Sequence, residues 1–187
     1  MTSLTESLEA LTTVIRTKGF PIDTFLQPRL SLRDIHARTS DLPFHLPEQL
    51  VELYQWHDGT LPDCPLALFR DEQFLPLEDA LLEYATAFAP AAADDVDWGV
   101  DLRECFPFAG FEGSYYVLPA GSQTLVPQFP RPVICVFEGI DAYFLSLTRM
   151  VETFTACFET GVYSVSAGVV DEQGEREIWA AYNPGLI

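Results

Sequence analysis

The hydrophobic spacing of this chain changes period twice, and that restricts the folds open to it. Up to about residue 88, apolar residues recur three and four apart, as in Leu4, Leu8, Leu11 and Ile15. The runs CFPFAGFEGSYYVLPAG, PVICVFEG and DAYFLSL follow, rich in β-branched and aromatic residues and punctuated by Gly and Pro. The helical spacing then returns in Met150, Val151, Phe154, Cys157 and Phe158. Helices, a strand meander and a closing helix predict an α+β domain, with an antiparallel or mixed sheet packed against helices. The 187 residues fit one domain over 1–187, with a core over about 25–185 and an N-terminal helix over 1–19.

Boundary signals sharpen this outline. Gly19 ends the first helix, and Pro21 and Pro28 frame a connector. Ser31 is placed to N-cap a short helix, with Asp34 three residues on and with Leu32 and Ile35 facing inward. Pro47 opens a third helix that puts Leu50, Leu53, Tyr54 and His57 on one face; Gly59 closes it and Pro62 bars its resumption. A short strand is expected around Leu66–Phe69, then a helix from Pro76 with Leu77, Leu81 and Tyr84 or Phe88 inward. The small and acidic residues after it read as a loop. A hairpin turns near Glu138–Asp141, Ser146 or Thr148 caps the closing helix, and Gly161 stops it. The polar tail, ending in aromatic residues and Pro184-Gly185, is expected to fold back on the body.

The charge excludes some functions. Ten basic residues against 28 acidic ones give −18, too little positive surface for a nucleic-acid footprint, and a charge that anionic membranes repel. The N-terminus lacks the basic start and apolar block of a signal peptide, and no apolar run is long enough to span a bilayer. Cys64, Cys105, Cys135 and Cys157 are scattered and form no C-x-x-C pair, as expected of reduced thiols in a cytoplasmic protein.

No constellation points to a reaction. His57-Asp58 is a tempting pair, but neighbours on a helix point about 100° apart and make no His–carboxylate relay by adjacency. No G-x-S-x-G elbow supplies a nucleophile, and no phosphate-binding glycine pattern is present. The loop from Asp94 to Asp101 fails as an EF-hand: with Asp95 first, Val100 falls where the tight turn needs Gly, and Phe106 where Glu is needed. No catalytic residue, metal site or cofactor is therefore assigned.

The acids themselves are concentrated. Residues 71–104 carry ten (Asp71, Glu72, Glu78, Asp79, Glu83, Asp94, Asp95, Asp97, Asp101 and Glu104) and one base, Arg103, a local sum of −9. Such crowding is either a solvated face or a docking surface for a basic partner. The candidate partner-binding residues are Asp94, Asp95, Asp97, Trp98, Asp101, Glu78, Asp79 and Glu83, with Trp98, and Trp56 nearby, as aromatic anchors.

The segment PRLSLRDIHARTSDLPFHLPEQLVELYQWHDG also resembles the SUKH superfamily, the group of fungal cell-wall assembly regulators and bacterial homologues. Its pattern is matched by Leu46-Pro47-Glu48, Leu50, Leu53-Tyr54, Trp56 and Gly59. FPFAGFEGSYYVL is similar to its strand segment, FLSLTRMVETFTACFETGVY to its closing helix, and AAYNPG to a tail of some bacterial members. Arg29 and Asp58 depart from the Gly and Asn frequent there. The resemblance spans roughly residues 25–185 and is most specific over 46–59. It implies a non-enzymatic protein-binding module without shared catalytic residues. In many bacterial members such a module serves as an immunity protein that neutralises a toxin, often a nuclease. A regulatory scaffold in cell-envelope or signalling pathways is the alternative use, and an enzyme of unknown type the remaining one.

Overall fold

The computed structural model describes residues 3–91, 100–120, 131–137 and 139–186. Its centre is a five-stranded antiparallel sheet in which strand order follows chain order: β1 (Gln73–Phe74), β2 (Cys105–Phe111), β3 (Ser114–Pro119), β4 (Val133–Phe137) and β5 (Gly139–Phe144). The β4–β5 hairpin is the one expected from the Gly-punctuated apolar runs, and the run CFPFAGFEGSYYVLPAG divides into the paired strands β2 and β3. Six α-helices surround the sheet among the described residues: α1 (Leu4–Thr17), α2 (Leu32–Arg38), α3 (Glu48–Trp56), α4 (Leu77–Glu83), α5 (Leu147–Thr160) and α6 (Glu172–Tyr182). A small ribbon, β6 (Tyr163–Ser164) and β7 (Gly168–Val169), joins α5 to α6. The chain is an α+β protein.

Tyr115 and Tyr116 are neighbours on β3, so they point to opposite faces of the sheet. The Tyr116 ring meets Phe144 and Phe154, which puts α5 on its face. The Tyr115 ring meets Phe88 edge-on, and its hydroxyl donates to Glu83 Oε2 at 2.6 Å, which puts α4 on the other face. From α4 the chain continues through one π-helical turn, Tyr84–Phe88, which turns Tyr84 and Phe88 into the core. Helix α1 lies along α5 and contributes Leu8, Leu11 and Ile15, all fully buried, so the N-terminal helix belongs to the main core.

Local signals set most of the ends. Ser3 and Glu6 form a reciprocal capping box on α1, and Ser146 accepts from the Arg149 N–H to cap α5. Gly161 ends α5 at φ +82°. Two expectations fail. Leu32 is 46 % exposed, because in a helix of only seven residues the core takes Ile35 alone. Leu66–Phe69 is no strand: Leu68 and Phe69 are buried side by side without a ladder to join, and only Phe69 bridges, to Glu72 across a tight turn.

The tail folds back, and more regularly than expected. It holds α6, capped by Asp171, which accepts from the Gln173 and Gly174 N–H groups. Helix α6 covers the outer edge of β5. The Trp179 indole N–H donates to the Tyr143 carbonyl at 2.8 Å, and the Leu145 N–H donates to Asn183 Oδ1 at 3.1 Å. At this C-terminal end the β5 edge is occupied and not free for further strand pairing.

Candidate functional site

The block His57-Asp58-Gly59 resolves into architecture. Helix α3 ends one residue before His57, which is already extended at φ −152° and lies beyond the buried face of Leu50, Leu53 and Tyr54. His57 Nδ1 lies 2.6 Å from the Gln27 carbonyl; a carbonyl only accepts, so Nδ1 carries the proton. Gly59 does not close the helix. It sits at φ +81° where the chain passes so near Pro76 that a Cβ would come within 2.3 Å of the Pro76 nitrogen. That close approach brings the buried Asp58 carboxylate to the start of α4, where Oδ1 accepts from the Leu77 N–H at 2.8 Å. Helix α4 has Pro76 at its N-cap, with no side-chain cap of its own, so Asp58 supplies one from a distant segment. Arg38 lies 3.6 Å from the other Asp58 oxygen.

A hollow of about 640 Å³ does lie beside His57, lined by Thr5, Glu9, Arg29, Glu52 and Trp56 among others. Its carboxylates are already engaged: Glu9 accepts from the Trp56 indole at 2.9 Å, and Glu52 accepts from both the Thr5 N–H and its hydroxyl. Trp56 is 8 % exposed and stacks on Phe74, so it is a core residue rather than a surface anchor.

The acidic stretch divides into residues with different tasks. Asp94, Asp95, Asp97 and Trp98 lie outside the described residues. Asp101 accepts three hydrogen bonds from Arg103, from Nε at 2.9 Å, Nη2 at 2.6 Å and the backbone N–H at 3.0 Å; the side-chain bonds above all hold its carboxyl below the ordinary carboxylate range. Glu72 is buried, accepts from the Ser114 hydroxyl, and is pushed up by burial. Glu83 anchors Tyr115. Glu78 and Asp79 remain, exposed in the first turn of α4, where negative charge suits the helix dipole; among the described residues neither has a basic partner. Partial burial raises the Asp79 pKa, and the charges of Glu78, Asp58 and Glu83 raise it further. One turn beyond Glu78 stands Leu82, 61 % exposed. The structure thus brings Glu78, Asp79 and Glu83 together around an exposed leucine, and ties Asp101 to its own arginine.

A second feature had no signal in the sequence. On the Tyr116 side of the sheet, a cavity of about 370 Å³ opens between β5, α5 and α6. Arg70 reaches into it from the Phe69–Glu72 turn, with its backbone in the left-handed region at φ +64°. Its Nη2 donates to Glu175 Oε2 at 3.2 Å; Nε lies 2.8 Å from Oε1, off the N–H direction. Glu175 also accepts from the Tyr163 hydroxyl. Burial alone would lower the Arg70 pKa, but the Glu175 charge reverses this and raises it, so the guanidinium stays charged. Burial, and then donation to Glu175, raises Tyr163 far above the ordinary phenol range. The members of this group are over a hundred residues apart at the extreme, and no spacing rule joins them.

Burial pushes Cys135 up to about 11 and Cys157 to about 12, which leaves both as unreactive thiols at neutral pH. Among the described residues, no helix is long and apolar enough to cross a membrane. No protein-family model matches the chain, and no curated protein matches it.

Proposed function

We propose that this chain is a non-enzymatic protein-binding module of the SUKH kind that acts as an immunity protein, docking a basic toxin on the outer face of α4. The observation that carries the reading is Leu82, 61 % exposed beside Glu78 and Asp79, which have no basic partner among the described residues. An apolar anchor within a charged rim is the arrangement that concentrates interface energy. Burial raises the Asp79 pKa first and the neighbouring carboxylates add to it; a lysine or arginine brought alongside would relieve that added repulsion. The overall charge of −18 would speed encounter with a basic protein, and the resemblance of residues 46–59 to the SUKH pattern supports the class.

The test is titration calorimetry of the chain against the toxin domain encoded beside it, at low and high salt. Leu82→Ala should weaken the complex by about 2 kcal/mol, and Glu78→Lys with Asp79→Lys should weaken it at low salt and flatten the salt dependence. Unchanged affinity in both variants would remove α4 as the docking face. Failure to protect cells from that toxin would remove the immunity role.

A further inference from the structure

We infer that the cavity between β5, α5 and α6 is a binding site for a free aromatic α-amino acid. Its volume, about 370 Å³, falls within the roughly 300–1,000 Å³ of small-molecule sites. The walls are largely rings: Tyr143 and Trp179, with centroids 5.7 Å apart, and Phe154 and Tyr163, with centroids 6.0 Å apart. Rings so placed accept a flat apolar group.

The polar lining decides what that group must carry. Arg70 and Arg176 are matched by Asp141 and Glu175, so in a chain of net charge −18 this lining has no net charge. Glu175 is consumed by Arg70 and Tyr163. Among the described residues, the Asp141 carboxylate and the Tyr143 hydroxyl make no hydrogen bond, and Arg176 has only Glu172, at 3.9 Å, and the Gln173 amide oxygen, at 3.3 Å, both on its own helix. A simple cation would be opposed by two arginines, and a simple anion by Asp141. A zwitterion answers both: its ammonium meets Asp141 and the Tyr143 oxygen, and its carboxylate meets Arg176 and the outer edge of Arg70. Arg70 is held for this in a backbone conformation that non-glycine residues rarely adopt, at φ +64°.

The site is on the opposite sheet face from α4 and does not depend on toxin binding. The experiment is calorimetric titration of the full chain with L-phenylalanine, with 3-phenylpropionate, which lacks the amine, and with phenethylamine, which lacks the carboxylate. L-Phenylalanine should bind, and each truncated compound should bind about tenfold more weakly, because a polar group of the site is then left unpaired. Asp141→Asn should weaken L-phenylalanine but not 3-phenylpropionate, and Arg176→Gln should weaken L-phenylalanine but not phenethylamine. Both residues are exposed, so the variants should fold. Absence of binding at about 10 mM, well above a millimolar Kd, overturns the inference. Equal binding of all three compounds also overturns it, since the cavity would then be an apolar hollow without recognition. Glu78→Lys should leave the binding unchanged.

Discussion

Asp58 stabilises a helix to which it does not belong, nineteen residues further along the chain. The carboxylate accepts the Leu77 N–H at a helix start where proline offers no side-chain acceptor. Asp58→Ala should therefore lower stability by about 1 kcal/mol, within the roughly 0.5–2 of lost N-caps, and Asp58→Asn by less, because an amide oxygen still accepts. Urea denaturation of both variants checks the order; equal losses would mean that the Arg38 contact, not the cap, is what matters. From the sequence, Trp56, His57 and Asp58 stood out only as neighbours of chemical interest. Their partners, Glu9, the Gln27 carbonyl and the Leu77 N–H, lie on three other segments. Adjacency in the chain carries no information about such pairings.

At the scale of elements, α4 and α6 show how differently two helices can be read. Helix α4 announces itself with Pro76, two acids in its first turn and apolar residues at helical spacing. Its docking runs through Glu83, and this gives a measurable coupling: burial, then the Glu83 hydrogen bond, lifts the Tyr115 phenol from 10.0 to about 12. Glu83→Gln should bring that value down while leaving it above the ordinary one, since the burial remains. Ultraviolet titration of the variant against the parent reads the shift, and an unmoved Tyr115 would contradict the contact. Helix α6 sits in a segment that reads as polar tail, because no residue of it is fully buried and only Ile178 and Trp179 pack partly against the core. What holds it is polar: Glu175 to Arg70, the Trp179 indole to the Tyr143 carbonyl, and Asn183 to Leu145 and Thr153. Glu175→Ala should loosen α6 by about 2 kcal/mol, the scale of hydrogen bonds to charged groups, and should speed amide exchange in 172–182 ahead of the sheet.

For the whole molecule, the aromatic and thiol groups set a limit at alkaline pH. Tyr115, Cys135 and Cys157 all have folded values above their ordinary ones, at about 12, 11 and 12 against 10.0, 9.0 and 9.0. The unfolded chain gives up these protons first, so it binds fewer of them and stability falls as pH rises. The contribution is complete below about pH 9 and is lost progressively toward pH 12. Tyr54, Tyr116 and Tyr163, buried and raised further, add to the loss in the same direction. Thermal unfolding followed from pH 8 to 12 should show a steady fall in midpoint that begins near pH 9; a flat profile would mean that these groups are as accessible in the folded state as in the unfolded one.

The sequence alone determined the class of the fold, the order of N-terminal helices, strand meander and closing helix, the β4–β5 hairpin, the C-terminal end of α1 and both ends of α5, because periodicity, caps and glycine turns act over a few residues. It also determined that the charge is negative and concentrated. What each described acid does was decided only by the tertiary structure, which buried Glu72, matched Asp101 to Arg103, joined Glu83 to Tyr115 and left Glu78 and Asp79 exposed near Leu82. The cavity around Arg70 has the same origin. It draws on a tight turn, an edge strand and two helices, and a side chain's neighbours across such distances are set by how whole elements pack.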